Sequence, residues 1–230
     1  KEALEKLNAS VSVGGDGAHI EVRGENLIPA LRLVAEVLRE PAFPPAEFEE
    51  LKRSLLTSAE GRRSDPSEIA DEQLTRHLNP YPPGHWNYPF STDETVAALK
   101  AVTLDEAKHC YSDLVGATGA QLVAIGDFDP DALMRLTEEL FGEWRSPAPY
   151  KRIPSRFFAR EALERTVVTP DKANAVLRGG LNIELRDDHP DFPALVLGSY
   201  LLGGTSAARL PARVREKEGL SYSTYAYFSA

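Results

Sequence analysis

The sequence is poor in the residues that staple a fold or bind metal. It has one cysteine, Cys110, in 230 residues. An intrachain disulfide is excluded, and so is a metal site built on paired cysteines. The five histidines are His19, His77, His85, His109 and His189, and no two of them are four residues apart. None therefore forms the i, i+4 pair with which a helix grips zinc. No apolar run approaches the roughly 18 residues of a membrane-spanning helix, and no signal peptide is visible. Cations are the minority charge: 26 Lys and Arg stand against 35 Asp and Glu, a net charge of −9. Phosphate binding needs clustered cations. The balance argues against a general nucleic-acid surface, and "EFEELKR" and "RVREKEG" mix both signs and read as solvated helix faces.

Apolar residues make up 42% of the chain, enough for one large or two modest cores. Residues 9–23, "ASVSVGGDGAHIEVR", alternate about a Gly-Gly-Asp-Gly turn and predict a β-hairpin. Leu27, Leu31, Val34, Val37 and Leu38 follow a helical period over 25–40. Further helices are predicted over 46–64 and 65–78, the latter with Asp65 as N-cap and Pro66 at its first position. A Pro-rich loop, 79–89, separates these from two helices with Thr92 and Thr103 as expected caps. A buried-type strand, 120–128, and one more helix complete an α+β unit with helices layered on a mainly antiparallel sheet.

This pattern places a first α+β domain at 1–144 and a Pro-rich linker at 145–159. The start of a second α+β domain follows at 160–230. Its expected elements are strands at 165–170 and 174–185, a helix at 191–204, a short helix and a closing strand, "SYSTYAYF". The chain begins at Lys1 and ends inside an expected strand. It reads as a piece of a longer protein, lacking its N-terminal part and with the second domain truncated.

The stretch "REKEGLSY" places Arg215 seven residues before Tyr222, across Gly219. From spacing alone, a surface arginine beside a strand aromatic and a pair aimed at a substrate are both open. A guanidinium and a phenol are donors suited to a peptide carbonyl or a developing oxyanion. Asn8 precedes, and Ala9 and Ser10 open, the "ASVS" stretch (9–12), which is either an ordinary strand or a free edge that pairs with an extended peptide. The other polar signals are weaker. His77 and His85 flank a loop with no third ligand nearby. His109 and Cys110 are sequential on a helix and do not face each other. Ser206 lacks the GxSxG frame of a nucleophile turn.

Gly203, Gly204, Ser206, Arg209, Leu210, Arg215, Gly219, Leu220 and Tyr222 resemble, in order, the second domain of the pitrilysin/insulinase family of zinc metallopeptidases, which includes the mitochondrial processing peptidases. "LNASVS", residues 40–66 and "VAIGDFDPDAL" resemble that family's edge strand, helix pair and closing strand. The resemblance implies two domains of one type per module. In active members HxxEH and a distant Glu hold zinc. Here HxxEH is absent, and the two family Glu positions fall on Thr57 and Ser58. The resemblance therefore implies the half that holds no metal, with no cofactor in this chain and Zn²⁺ in a companion half. That half is a fused or separate zinc-bearing module. It further implies substrate peptides or unfolded proteins, with Arg215 and Tyr222 as catalytic contributors and Asn8, Ala9 and Ser10 as a substrate-binding edge. Peptide-bond hydrolysis would belong to the assembled enzyme, this chain alone being inactive. A catalytically inactive assembly scaffold of the same family, and a free-standing peptide-binding module, are the alternatives. The residues leave the compartment open, and exported bacterial relatives lean toward the periplasm.

Overall fold

The computed structural model describes residues 2–15 and 17–229. Asp16, in the predicted hairpin turn, lies outside the described residues. The chain divides into two compact units. The first comprises the chain up to Ser155 together with Arg165–Arg178, and the second comprises Arg156–Glu164 and the chain from Gly179 onward.

The first unit opens with α1 (Glu2–Lys6), β1 (Ser10–Val13) and β2 (Ala18–Glu21). The two strands pair antiparallel with Ser10 opposite Glu21 and Val13 opposite Ala18. Helix α2 (Leu27–Arg39) follows, and its apolar stripe buries Ala30, Leu31, Val34, Ala35 and Leu38. That stripe meets α7 (Pro130–Phe141) in a cluster of Leu31, Leu133 and Leu136, flanked by Ile20, Ala124 and Phe128. Burying such side chains stabilises by about 1.5–3 kcal/mol each. Arg32 clamps the solvent side of the same pair of helices through two hydrogen bonds to Glu139, the shorter 2.6 Å. That pairing holds the Glu139 carboxyl below the usual carboxylate range, the hydrogen bond from Arg32 being the main cause.

Between them lie α3 (Pro45–Arg62), α4 (Pro66–Leu78), α5 (Thr92–Ala101) and α6 (Leu104–Leu114). The ends of these helices follow their capping chemistry. Asp65 accepts from the backbone of Ser67 at 2.7 Å, as expected. Thr103 closes a reciprocal capping box with Glu106. The cap of α5 is Ser91, not Thr92: Ser91 and Glu94 satisfy each other's backbone N–H groups. Thr92 instead donates its N–H and hydroxyl to Glu72 at 2.7 and 2.8 Å. Helices α3 and α5 pack together and are tied at their rims by Lys100–Glu60, Arg63–Asp93 and a Lys52 donation to the Val102 carbonyl.

The expected mainly antiparallel sheet is corrected. Helices predominate, and among the described residues the β1–β2 hairpin is the one ladder. Residues 120–128, 165–170, 174–185 and 221–228, all expected as strands, form no ladder. The side-chain logic of a strand persists in them. Ala124 and Phe128 pack on the α2–α7 cluster while Ile125 is 96% exposed. Thr224, Ala226 and Phe228 are half-buried while Tyr225 and Tyr227 are exposed. Period-two composition sets which face a side chain takes. A ladder also needs a second backbone alongside at about 4.8 Å, and that is a property of the neighbour.

In the second unit, α8 (Phe192–Ser199) runs into a wider π-type turn, Tyr200–Gly204. A short turn, Arg209–Pro211, leads into a second wide turn, Ala212–Lys217. The segment 145–159 contains neither helix nor strand.

Candidate functional site

The chain end around "REKEGLSY" is built by a helix stop. The turn Ala212–Lys217 is wound wider than an α-helix, so its closing bonds reach further back. Glu218 N–H donates to the Arg213 carbonyl at 3.1 Å, and Leu220 N–H donates to the Val214 carbonyl at 3.0 Å. Between them Gly219 takes φ +64°, the left-handed conformation that glycine adopts without a Cβ penalty. An Arg213–Glu218 ion pair of 2.8 Å spans the same stop. The reversal brings Arg215 and Tyr222 together: the guanidinium carbon lies 4.6 Å from the ring centroid, within cation–π range. Arg215 Nε also pairs with the neighbouring Glu216 at 3.2 Å. Tyr222 is 83% exposed. The expected strand at Tyr222 is absent. The pair is set by the glycine turn and the stack, with no sheet register involved.

The Gly203-Gly204 pair makes room for neighbouring groups. Gly203 is buried, and a Cβ placed there would sit 2.9 Å from Ala226 Cα. The missing side chain is the space through which the segment after Tyr222 passes. A Cβ on Gly204 would meet the ring of Tyr200 at 2.8 Å. The glycine doublet was legible in the sequence, but the long-range partner of Gly203 was not.

Asn8, Ala9 and Ser10 belong to the first unit. Asn8 takes φ +48°, a conformation asparagine tolerates better than most residues. The backbone N–H of Ala9 donates to the Leu4 carbonyl at 3.1 Å, and Ser10 opens β1 opposite Glu21. Among the described residues β2 is the one strand paired to β1, so the far edge of β1 carries no ladder.

Thr57 and Ser58, where the resemblance implies zinc-ligand Glu residues, carry no carboxylate. The hydroxyl of Thr57 donates to the Arg53 carbonyl within its own helix at 3.0 Å, and Ser58 is exposed. Nearby Glu60 pairs with Lys100 at 3.4 Å. Among the described residues no group of three or more His, Cys, Asp or Glu side chains is placed to hold a metal ion. The imidazole of His85 stacks on Tyr81 at 4.3 Å and accepts from Asn87 N–H, the bonding of a structural histidine. Cys110 is an exposed free thiol.

Comparison with known proteins places the chain in a family. The family profile described as the peptidase M16 inactive domain matches residues 101–230, and the chain belongs to that family. A relative from Bacillus subtilis, named as the uncharacterized zinc protease YmxG, is 23% identical over 98% of this chain and 53% of its own length. One from Helicobacter pylori, named as the non-peptidase homolog YmxG, is 23% identical over 95% of this chain and 49% of its own. This chain thus spans about half the length of the curated relatives it matches. Among solved structures, a peptidase M16 inactive domain from Pseudomonas fluorescens superposes with a TM-score of 0.68 at 21% identity. It covers 99% of this chain and 55% of that one. A protease from Helicobacter pylori gives a TM-score of 0.66 at 16% identity, over 97% and 55%. At these identities the superpositions establish the fold.

Proposed function

We propose that this chain is the non-metal half of a zinc-dependent metalloendopeptidase, working with a zinc-bearing module that is fused to it or separate. In this reading it helps enclose an extended peptide and presents Arg215 and Tyr222 to the scissile carbonyl held by the other half. The observation that carries it is the Arg215–Tyr222 stack, 4.6 Å from guanidinium carbon to ring centroid. Stacking on the ring face orients both groups and leaves the phenol hydroxyl at the rim. A phenol and a guanidinium fixed in advance stabilise an oxyanion better than mobile donors, because little reorganises as charge develops. The unladdered edge of β1, entered at Asn8, Ala9 and Ser10, suits main-chain pairing with an extended substrate, which is tolerant of sequence.

A second reading is an inactive assembly scaffold of the same family. The name of the Helicobacter pylori relative, a non-peptidase homolog, favours it. Reconstitution separates the two. The full chain is combined with a zinc-bearing module and turnover of an unfolded peptide substrate is followed. Activity that depends on both halves, and falls when Tyr222 is changed to Phe, supports the enzyme reading. Assembly with no dependence on Tyr222 or Arg215 supports the scaffold.

A further inference from the structure

A cleft of about 500 Å³ in the first unit has walls opposite in sign to the chain as a whole. Arg39 at the end of α2, Lys108 and His109 on α6, and Arg145 beyond α7 surround it, and Glu40 is the one carboxylate in its lining. The chain as a whole carries a net charge of −9. A local excess of cations on such a chain is a directed feature, since like charges brought together repel unless something offsets them.

The cleft is also built. Phe43 sits at φ +44°, a strained conformation for a bulky side chain. Its ring meets Tyr111 edge-on at 5.5 Å. Tyr111 in turn donates its hydroxyl to the Leu38 carbonyl at 2.7 Å. Ala117 N–H holds the carbonyl of Trp144 at 2.7 Å. Gly116 lets the following backbone approach: a Cβ there would lie 2.8 Å from the Arg145 carbonyl carbon. The cationic heads keep donors to spare. Arg39 uses one Nη1 bond on the Leu140 carbonyl at 3.0 Å. Lys108 is a loose 3.9 Å from Asp105. The His109 ring is held at the rim by the contact of its Nδ1 with the Asp105 carbonyl at 2.7 Å. Arg145 makes no ion pair among the described residues.

We propose that this cleft holds an acidic segment of an extended peptide. Its carboxylates pair with Arg39, Lys108 and Arg145, and an adjoining apolar side chain lies against Phe43, Tyr111 and Trp144. The volume falls in the range of sites that hold small ligands or a few residues. A nucleic acid fits less well. Glu40, in the lining, opposes a continuous phosphate backbone. The proposal uses none of the Arg215–Tyr222 geometry and stands or falls apart from it.

The test uses Trp144 as reporter. The chain has two tryptophans, and Trp86 is 74% exposed, so Trp86→Phe in the full chain leaves Trp144 alone. Three probes are titrated: a peptide of alternating Glu and Phe, its Gln-for-Glu twin, and a single-stranded oligonucleotide. The acidic peptide is expected to change Trp144 emission and saturate, with the Gln twin about tenfold weaker. The double variant Lys108→Glu/Arg145→Glu is expected to weaken the acidic peptide by about tenfold or more. Lys108→Gln/Arg145→Gln, which removes charge without reversing it, is expected to weaken it severalfold with an unchanged circular dichroism spectrum. Equal binding of the Gln twin, unchanged affinity in both double variants, or no saturable response overturns the proposal. So does an oligonucleotide that binds as tightly with the same Trp144 response, which would make this a general polyanion site.

Discussion

Arg215 lies over the face of Tyr222, its guanidinium carbon 4.6 Å from the ring centroid. Seven residues separate the two in sequence, and Gly219 at φ +64° folds the chain back between them. In the reconstituted enzyme, Tyr222→Phe keeps the ring and the stack and removes the hydroxyl. Loss of one oxyanion donor costs about 3 kcal/mol of transition-state stabilisation, or roughly a hundredfold in kcat/KM. Assembly is expected to be unchanged. Arg215→Ala removes a donor and the stack together, so KM is expected to rise as well as kcat to fall. Steady-state kinetics of both variants decides. Wild-type kcat/KM in Tyr222→Phe would assign the pair to structure.

The zinc-ligand positions lead to a second expectation. Thr57 and Ser58 stand where the family resemblance implies carboxylates, and Glu60 is paired to Lys100 at 3.4 Å. Structural zinc sites use four ligands and catalytic ones three. After dialysis, elemental analysis of the full chain is expected to find far less than one zinc per molecule. Thr57→Glu alone is expected to leave that result unchanged, because it supplies one ligand of the set. A tightly held, stoichiometric zinc in the native chain would overturn the assignment.

Acid stability should depend on Glu94. This carboxyl accepts from the Tyr88 hydroxyl at 2.6 Å, from Ser91 N–H at 2.7 Å and from Arg76 at 2.9 Å. The Tyr88 bond first, then the Ser91 bonds and Arg76, lower its pKa from 4.5 to about 2. A folded-state pKa below the unfolded value contributes stability that is present above pH 4.5 and is lost as the pH falls toward about 2. The group is half-exposed, so its share is modest. The Tm difference between wild type and Glu94→Gln is expected to be largest near neutral pH and to narrow across that window. A gap independent of pH would show that ionisation of Glu94 does not carry the effect of Glu94→Gln.

The helices were the legible part of this fold. Asp65, Thr103 and the stripe of α2 depend on neighbours within a few residues, and local chemistry settles them. Ser91 took the cap expected at Thr92 because Thr92 has a distant acceptor, Glu72. The segments 120–128 and 174–185 carry strand composition, yet Ile125 and Leu177 are 96% and 91% exposed. Composition does not report whether a partner edge runs alongside. The spacing of Arg215 and Tyr222 alone left their pairing open, and it was the family resemblance that singled the two residues out. The cationic cleft was not, since Arg39, Lys108 and Arg145 are far apart in sequence and each looks like a solvated surface charge.

Gly203 offers the sharpest test of how Tyr222 is positioned. It is buried, and Ala226 N–H approaches its carbonyl at 3.4 Å. An added Cβ would meet Ala226 Cα and Cβ, each at 2.9 Å, closer than real Cβ contacts allow. Either the turn Tyr200–Gly204 or the segment 221–228 must move. Ala226 is four residues beyond Tyr222, so a displacement there is close enough in the chain to reach the Arg215 stack. Overpacking of this kind costs about 1–3 kcal/mol, read as a lower urea midpoint for Gly203→Ala. Gly179, by contrast, meets nothing within 4 Å, and Gly179→Ala is expected to be close to neutral. In the reconstituted enzyme Gly203→Ala is further expected to lower kcat/KM in the same direction as Tyr222→Phe. Combining it with Tyr222→Phe should add little, since both act through one hydroxyl. A Gly203→Ala chain that unfolds at the wild-type midpoint would show that the backbone crossing at Ala226 has room to spare. Additive kinetic losses in the double variant would separate the glycine from the placement of Tyr222.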